Sequence, residues 1–305
     1  MNNISKEKAR EISEAQVPLR IRDHRLRVDR IKRNAQRRKV HALKPRLSKL
    51  DFLAIGDSWF EYPLDDNGVF WPGYNAAIVA QGQLQSMGNP PPLINSIAHH
   101  GQSMQAIMGV TNQELMESLV GDDTNWLNGK PDAILVSGGG DDIVGDQFII
   151  YLTYASGGLN ASRFQGVLDS VQASYEDLFA FRDEFVPNVP IFGHCYDYAI
   201  PNGKPAGLIP IAGPWLWPSL DFAGYDYTEG LQVVKDAIDG FHQMLASLAA
   251  KQQNNFHLVD TRGILTRDTS HPLGWANEIH PYFAGFTALA QKFLASLQGF
   301  FPGKI

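Results

Sequence analysis

From Leu50 onward, short apolar segments alternate with longer amphipathic ones, and this alternation restricts the chain to few folds. The apolar segments are rich in Ile, Val, Leu or Phe and are bounded by Gly, Pro, Asn or Asp; they lie at 50–56, 92–97, 132–138, 189–195 and 255–260. Nearly continuous apolar runs of this length are typical of strands that are covered on both faces. Helical periodicity follows at about 102–119, 163–185, 228–252 and 283–298. The sequence therefore predicts a three-layer α/β/α sandwich with a central five-stranded parallel sheet.

The composition is that of a folded protein with a large core. Of the 305 residues, 44% are hydrophobic and 11% are aromatic, which suits one large α/β domain or two smaller ones. The single cysteine, Cys195, excludes an intrachain disulfide and a cysteine-based zinc site. No apolar run approaches the roughly 20 residues of a membrane span, and we find no secretory signal. We therefore expect a cytoplasmic protein.

The net charge of −6 conceals two parts of opposite charge. Residues 1–50 carry 16 Lys or Arg against 5 Asp or Glu, whereas the remaining 255 residues carry 10 against 27. We divide the chain into a basic N-terminal extension, 1–49, without a clean helical stripe, and a folded domain, 50–305. The extension has the charge to bind nucleic acid or an anionic membrane surface, but it lacks aromatic residues that stack on bases. Charge complementarity favours contact with the acidic body of its own or a neighbouring subunit.

Polar residues that suit acyl transfer follow several of the predicted strands. Ser58 follows the first strand, Gly101 opens a helix after the second, the Gly-rich turn 137–145 follows the third, and His280 precedes a helix after the fifth. In parallel sheets the ligand site lies beyond the carboxyl ends of the strands. A serine before a helix is most often only a cap. Together, however, these residues supply a nucleophile, oxyanion donors and a general base.

Four short blocks in this order resemble those of the SGNH (GDSL-type) hydrolases, and the resemblance covers about residues 50–298. The blocks are GDS at 56–58, Gly101 within 94–103, GGDD at 139–142 in the place of GxND, and NEIH at 277–280 in the place of DxxH. The resemblance implies a flavodoxin-like hydrolase fold for 50–305. It also implies ester hydrolysis through an acyl-enzyme, with Ser58 as nucleophile, His280 as base, the N–H of Gly101 in the oxyanion hole, and no cofactor or metal.

The third block departs from the family because Asp141 stands where the family has Asn. An Asn amide donates a hydrogen bond to the oxyanion, whereas an ionised carboxylate repels it. Asp141 can donate only when it is protonated, which requires a pKa raised by burial or by the neighbouring Asp142. We therefore expect an enzyme that is slow at neutral pH and gains activity as pH falls, until His280 becomes protonated.

The last block also departs from the family, because Asn277 stands in the acid position. An amide cannot stabilise an imidazolium as a carboxylate does. Either Ser58 and His280 act as a dyad, or another group orients the ring. The candidates, by proximity in sequence only, are Asp260, Asp268 and Glu278. We interpret Asn277 as a tolerated variation rather than as evidence of inactivity.

Two aromatic segments are predicted to form the walls of the substrate site, 59–74 and 196–227. The candidate substrate-binding residues are Trp59, Tyr62, Trp71 and Trp215. An aromatic lining suits apolar acyl or aryl groups. Sugars also stack on tryptophan, so a carbohydrate-acetyl esterase is an open alternative.

Two other classes of function compete with a serine esterase. A metal-dependent phosphoesterase would use hard ligands such as Asp57, Asp141, Asp142 and His280, although the sequence lacks a histidine-rich metal spacing. A catalytically weak or inactive binding protein on the same fold is the second, because fold does not dictate function. In the esterase interpretation, Asp57 and Asp142 shape their turns through hydrogen bonds to the backbone.

Overall fold

The central sheet has five parallel strands. The computed structural model describes residues 5–37, 49–71, 73–80 and 82–305. The strands are β1 (Asp51–Gly56), β2 (Leu93–Ser96), β3 (Ala133–Ser137), β4 (Ile191–His194) and β5 (Phe256–Val259). Their order in the sheet is β2-β1-β3-β4-β5, and every neighbouring pair is parallel. Each strand lies inside a predicted segment, so the predicted α/β/α fold with a five-stranded parallel sheet is confirmed.

Eight α-helices surround or flank the sheet in the described part of the chain. They are α1 (Lys6–Arg37), α2 (Met104–Ile107), α3 (Val110–Gly121), α4 (Gly140–Ile143), α5 (Ala161–Phe185), α6 (Trp217–Phe222), α7 (Tyr227–Ala249) and α8 (Phe283–Phe300). Short 3₁₀ turns occupy Leu84–Ser86, Asp123–Asn125, Asp146–Tyr151 and Gln252–Asn254. None of the described helices has both the length and the apolar character needed to cross a membrane.

Local capping explains where two of the longer helices begin. Asn160 accepts the Arg163 N–H at the start of α5, and Asp226 forms a capping box with Glu229 at the start of α7.

The single helix predicted at 102–119 is instead divided into α2 and α3. The helix is interrupted because the backbone of Gly109 is extended, with φ −68° and ψ 155°.

The layers follow from the alternation of side chains along the strands. On β5, the ring of Phe256 packs against Tyr175 of α5, whereas the ring of the next residue, His257, packs against Phe300 of α8. Successive side chains of a strand point to opposite faces. Helices α5 and α8 therefore cover opposite faces of the sheet, and α7 packs beside α5.

The basic N-terminal extension contains a 32-residue helix, α1, which the sequence did not predict. Its buried residues recur at helical spacing, and they are Ala9, Ser13, Val17, His24 and Val28. Because Ser13 and His24 are polar, the sequence shows no continuous apolar stripe. Val28 packs with Leu93 at the start of β2, and Arg20 donates to the carbonyls of Ser96 and Ala98 at its end. Helix α1 thus runs antiparallel to the edge strand and covers it.

The expected contact between the basic extension and the acidic body exists within one chain. Arg25 of α1 pairs with Asp122 at 2.7 Å, and its Nε donates to Asn125 at 2.9 Å. Residues 1–4 and 38–48 of the predicted extension lie outside the described residues. The division of the chain at 49/50 stays a prediction.

We expect His24→Ala to lower the free energy of unfolding by about 1–3 kcal/mol, the usual cost of leaving a buried polar group unpaired. His24 Nε2 lies 2.6 Å from Asp51 Oδ1, and both side chains are buried. Urea or thermal unfolding measures the change. Arg22→Ala is the matched control on the same helix, because Arg22 and Asp23 form an exposed pair. Equal unfolding curves for the two variants would contradict a stabilising role for the His24–Asp51 contact.

Candidate active site

Ser58 stands two residues beyond the end of β1, in a turn that only glycine can begin. Gly56 has φ +151°, and a Cβ there would lie 2.5 Å from the carbonyl oxygen of Ser137 on β3. Asp57 Oδ1 then accepts the N–H of Trp59 at 2.9 Å, which closes the turn. The polypeptide therefore bends sharply at the carboxyl end of β1, and Ser58 lines a cavity of about 630 Å³.

His280 lies beside Ser58 and is held by Asn277. His280 Nε2 is 2.7 Å from Ser58 Oγ, and its Nδ1 is 3.0 Å from Asn277 Oδ1. Both residues are buried. Burial lowers the pKa of His280 to about 3, with a smaller contribution from His100. The imidazole is therefore neutral near neutral pH, as a general base must be.

The neighbours of Asn277 determine which way its amide faces. Asn277 Nδ2 donates to the Tyr62 hydroxyl at 2.8 Å and to Asn67 Oδ1 at 3.0 Å, and Asn277 Oδ1 accepts the main-chain N–H of His280 at 3.0 Å. Because Oδ1 faces the ring, His280 carries its proton on Nδ1. Nε2 is then free to accept the proton of Ser58. The amide supplies orientation and the correct tautomer without supplying a charge.

The three carboxylates considered as alternatives to Asn277 bind elsewhere. Asp260 pairs with Arg262 at 2.9 Å, and Asp268 accepts hydrogen bonds from Ser270. Glu278 points away from the ring and accepts main-chain N–H groups of the 196–227 segment. The geometry therefore assigns the contact with His280 Nδ1 to Asn277.

We expect Asn277→Ala to lower kcat for ester hydrolysis by about 10²-fold or more, because a misoriented base loses most of its effect. Steady-state kinetics on a short 4-nitrophenyl ester measure the loss. Asn160→Ala is a control, because Asn160 is another amide that accepts a main-chain N–H, that of Arg163 at the start of α5, and it does not line the cavity. Undiminished kcat in Asn277→Ala would show that the ring needs no orienting amide.

Two main-chain N–H groups are available to an oxyanion. Among the residues that the structure describes, neither the Ser58 N–H nor the Gly101 N–H has a hydrogen-bond acceptor. Ser58 and Gly101 line the same cavity as His280. Gly101 adopts φ +77°, a conformation that side chains other than glycine rarely adopt. The predicted grouping of Ser58, Gly101 and His280 therefore exists in space.

Helix α1 and the turn after β1 together support the segment that carries Gly101. Arg20 of α1 donates to the carbonyl of Ala98. The buried carboxylate of Glu61 lies 3.2 Å from Nδ1 of His100 and 3.3 Å from its main-chain nitrogen. Gly101 thus follows a segment that is fixed at two points, which keeps its N–H in place before a substrate binds.

Asp141 lines this cavity in a setting that favours its protonated form. Its Oδ2 is buried and has no hydrogen-bond partner in the described residues. Burial raises the pKa of Asp141 well above its usual range, and the carboxyls of Asp57 and Asp142 raise it further. A neutral carboxyl donates a hydrogen bond where an ionised one repels an oxyanion. In its protonated form Asp141 can donate a hydrogen bond into the cavity.

No metal-binding arrangement appears among the acidic residues of the site. Asp142 Oδ2 accepts the N–H of Met104 at 2.7 Å, and the Asp57 carboxylate accepts hydrogen bonds from the Trp59 N–H and from the hydroxyls of Ser137 and Tyr196. Within the described ranges, no three His, Cys, Asp or Glu side chains converge as metal ligands. Asp57 shapes its own turn as predicted, whereas Asp142 fixes the start of α2.

Comparison with known proteins depends on the fold, because no protein-family model and no curated protein matches the sequence. The lipase Lip_vut3 from a goat rumen metagenome is 18% identical, covers 81% of this chain and 97% of its own, and has a TM-score of 0.51. A protein from Parabacteroides merdae named as a GDSL-like lipase is 15% identical, with coverages of 84% and 97% and a TM-score of 0.47. One from Slackia heliotrinireducens named as an SGNH hydrolase is 11% identical, with coverages of 82% and 99% and a TM-score of 0.46.

The chain shares its fold with the lipase Lip_vut3. At these identities the likeness concerns the fold and not the substrate.

A buried polar network lies behind the turn that carries Ser58, and the sequence did not reveal it. Ser137 Oγ donates to Asp57 Oδ1 at 2.6 Å, His194 Nε2 lies 2.9 Å from Ser137 Oγ, and the Tyr196 hydroxyl donates to Asp57 Oδ2. His194 Nδ1 accepts the Tyr196 N–H, and burial lowers the pKa of His194 to about 3. The network holds Asp57, and through it the turn that presents Ser58.

Two of the four predicted substrate-binding aromatics line the cavity. Tyr62 and Trp215 do so, with ring centroids 4.2 Å and 5.4 Å from that of His280. Trp59 is instead buried, donates its indole N–H to the carbonyl of Ile279, and lines a smaller cavity of about 40 Å³ that shares Ser58 and Asp141 with the larger one. Trp71 is 59% exposed and lines neither cavity.

The long segment 196–227 is ordered by carboxylates rather than by regular structure over much of its length. Glu278 is buried and accepts the main-chain N–H groups of four residues, Gly203, Trp215, Leu216 and Trp217. Near the start of the segment, Asp197 accepts the main-chain N–H groups of Tyr198, Gly263, Ile264 and Leu265. The wall that carries Trp215 is therefore tied to Glu278, two residues before His280.

Proposed function

We propose that the protein is a serine esterase that hydrolyses carboxylic esters through an acyl-enzyme. The contact that carries this proposal is the 2.7 Å distance between Ser58 Oγ and His280 Nε2, with Asn277 fixing the tautomer. The free N–H groups of Ser58 and Gly101 on the same cavity support it. The fold shared with a protein named as a lipase is consistent with an ester substrate.

The reaction proceeds in two proton-balanced steps. Ser58 attacks the ester carbonyl while His280 Nε2 takes its proton, and the oxyanion is bound by the N–H groups of Ser58 and Gly101 and by protonated Asp141. His280 then protonates the departing alcohol, which leaves an acyl-Ser58 ester. Water attacks this ester with His280 as base, and the proton returns to Ser58 as the acid is released.

The substrate is expected to have a modest apolar or aryl part next to the scissile bond, because Tyr62 and Trp215 flank His280 in the cavity. Trp215 is also a surface on which a sugar ring stacks, which favours a carbohydrate-acetyl esterase as the second candidate. The cytoplasmic location stays a prediction.

The test combines turnover with covalent labelling. Short 4-nitrophenyl esters and acetylated sugars are offered to the protein, and a fluorophosphonate probe reports whether Ser58 is activated. Hydrolysis with labelling of Ser58 is the expected result. A protein that hydrolyses no ester and is not labelled is a binding protein on the SGNH fold, and the proposal is then wrong.

A further inference from the structure

The first two turns of α1 form part of the wall of the active-site cavity. Lys6, Ala9 and Arg10 line the same cavity as Ser58 and His280. Ala9 is buried, whereas Lys6 and Arg10 are exposed. Further along the helix, Arg20 and His24 fix α1 to the sheet through Ser96, Ala98 and Asp51. A docked helix therefore holds the two cationic side chains at the wall of this cavity.

These cations have few competing partners. Among the described residues Lys6 has no ion pair, and Arg10 pairs only through Nε with Glu14 at 2.9 Å, which leaves its terminal nitrogens free. Two carboxyl groups line the cavity. They belong to Asp141, whose pKa is raised well above its usual range, and to Asp146, which is exposed. The positive charges of both side chains lower the pKa of Asp141, although burial and the carboxyls of Asp57 and Asp142 outweigh them.

The positive charges of Lys6 and Arg10 contrast with the net negative charge of the residues beyond 50. Residues beyond 50 carry 27 Asp or Glu against 10 Lys or Arg, and such a body repels anions in general. A cationic patch on the α1 wall of the cavity that Ser58 lines attracts an anion to that place. Arg supplies a planar fork that suits carboxylate and phosphate groups, and Lys supplies a point charge.

We propose that Lys6 and Arg10 form an anion subsite of the active site, so that the preferred substrate is an ester that carries a second, negatively charged group. This inference rests on the proposed esterase function. The anion is a carboxylate or a phosphate on either the acyl or the alcohol half of the ester. It binds at the α1 wall while the ester carbonyl meets Ser58.

Pairs of esters that differ only in the charged group test the subsite. One set has the charge on the alcohol half: 4-acetoxybenzoate, 4-acetoxyphenyl phosphate and the neutral methyl 4-acetoxybenzoate. The other has it on the acyl half: the mono-4-nitrophenyl ester of adipic acid and its neutral methyl ester. The measured quantity is the ratio of kcat/KM for the charged ester to kcat/KM for the neutral one. This ratio cancels any change that a variant causes equally in both, including one that acts through Asp141.

The variants are Lys6→Ala with Arg10→Ala, the charge reversal Lys6→Glu with Arg10→Glu, and the control Lys8→Ala. Lys8 lies on the same helical turn, pairs with Glu11 at 2.9 Å and does not line the cavity. We expect the alanine pair to lower the ratio about tenfold for at least one charged ester, mainly through KM, and the reversal to lower it further. Added salt should lower the ratio in the wild type and not in the alanine pair. Lys8→Ala should leave it unchanged.

The possible outcomes separate the subsite from the esterase function itself. An unchanged ratio in the alanine pair, with neutral esters still hydrolysed, would overturn the subsite and leave the esterase proposal standing. A ratio that falls equally in Lys8→Ala would show a general charge effect of α1 and would overturn it too. Absence of turnover for every ester, charged and neutral, would remove both proposals.

Discussion

Replacing Ser58 by alanine is expected to lower kcat for ester hydrolysis by about 10⁴–10⁶-fold, the range found when the nucleophile of a serine hydrolase is removed. The hydroxyl that His280 Nε2 contacts at 2.7 Å disappears, and with it the acyl-enzyme path. The small truncation in a turn closed by Asp57 should leave the fold intact. Steady-state hydrolysis of a 4-nitrophenyl ester, with unfolding curves for both proteins, measures the change.

A second serine on the same cavity provides the control. Ser103 also lines the cavity, but its side chain accepts the N–H of Ala106 at the start of α2 and does not contact His280. Fluorophosphonate labelling should be lost in Ser58→Ala and retained in Ser103→Ala. Hydrolysis that continues in Ser58→Ala near the wild-type rate would mean that another group is the nucleophile.

Asp141→Asn is expected to change how the rate of ester hydrolysis depends on pH. Its effect on this rate should be small at acidic pH and large at alkaline pH. Below its raised pKa, Asp141 is protonated and donates to the oxyanion; above that pKa it is ionised and repels it. An Asn donates at every pH. The wild-type rate should therefore fall on the alkaline side, whereas the variant stays level there and exceeds the wild type by up to about 10²–10³-fold, the usual value of one oxyanion donor.

The acidic side of the profile depends on His280 instead. Because burial lowers the pKa of His280 to about 3, the base stays neutral well into the acidic range, and both proteins should be active there. The measurement is kcat/KM from mildly acidic to mildly alkaline pH. Asp146→Asn serves as the control, since Asp146 is an exposed carboxylate on the same cavity. Parallel profiles for wild type and Asp141→Asn would show that Asp141 does not act on the oxyanion.

The strands were predictable because each is a nearly continuous apolar run, and such a run has few ways to be buried other than a covered parallel strand. Helix α1 was not predictable from apolar periodicity, since the polar residues Ser13 and His24 occupy its buried face, and only the folded chain brings Asp51 to His24. The break between α2 and α3 depends on the conformation of Gly109. Periodicity alone does not reveal that conformation.

Candidate reacting groups could be named from their places at strand ends, but the residues that support them could not. Tyr62 and Asn67, which orient Asn277, are separated from it in sequence by 215 and 210 positions. Ser137 and His194 have the pattern of ordinary strand residues, although they form the network behind Asp57. Lys6 and Arg10 belong to a charge-rich segment in which no single residue stands out.

The cage of main-chain N–H groups around Glu278 has a consequence for how the substrate range of this protein can change. Every residue except proline has a main-chain N–H, so the contacts of Glu278 with the wall do not depend on which side chains the four donor residues carry. Replacing Trp215 or Trp217 by any other residue with an N–H keeps the same donors for Glu278. The wall is therefore a favourable place for directed evolution, because its surface can be varied while its backbone is retained.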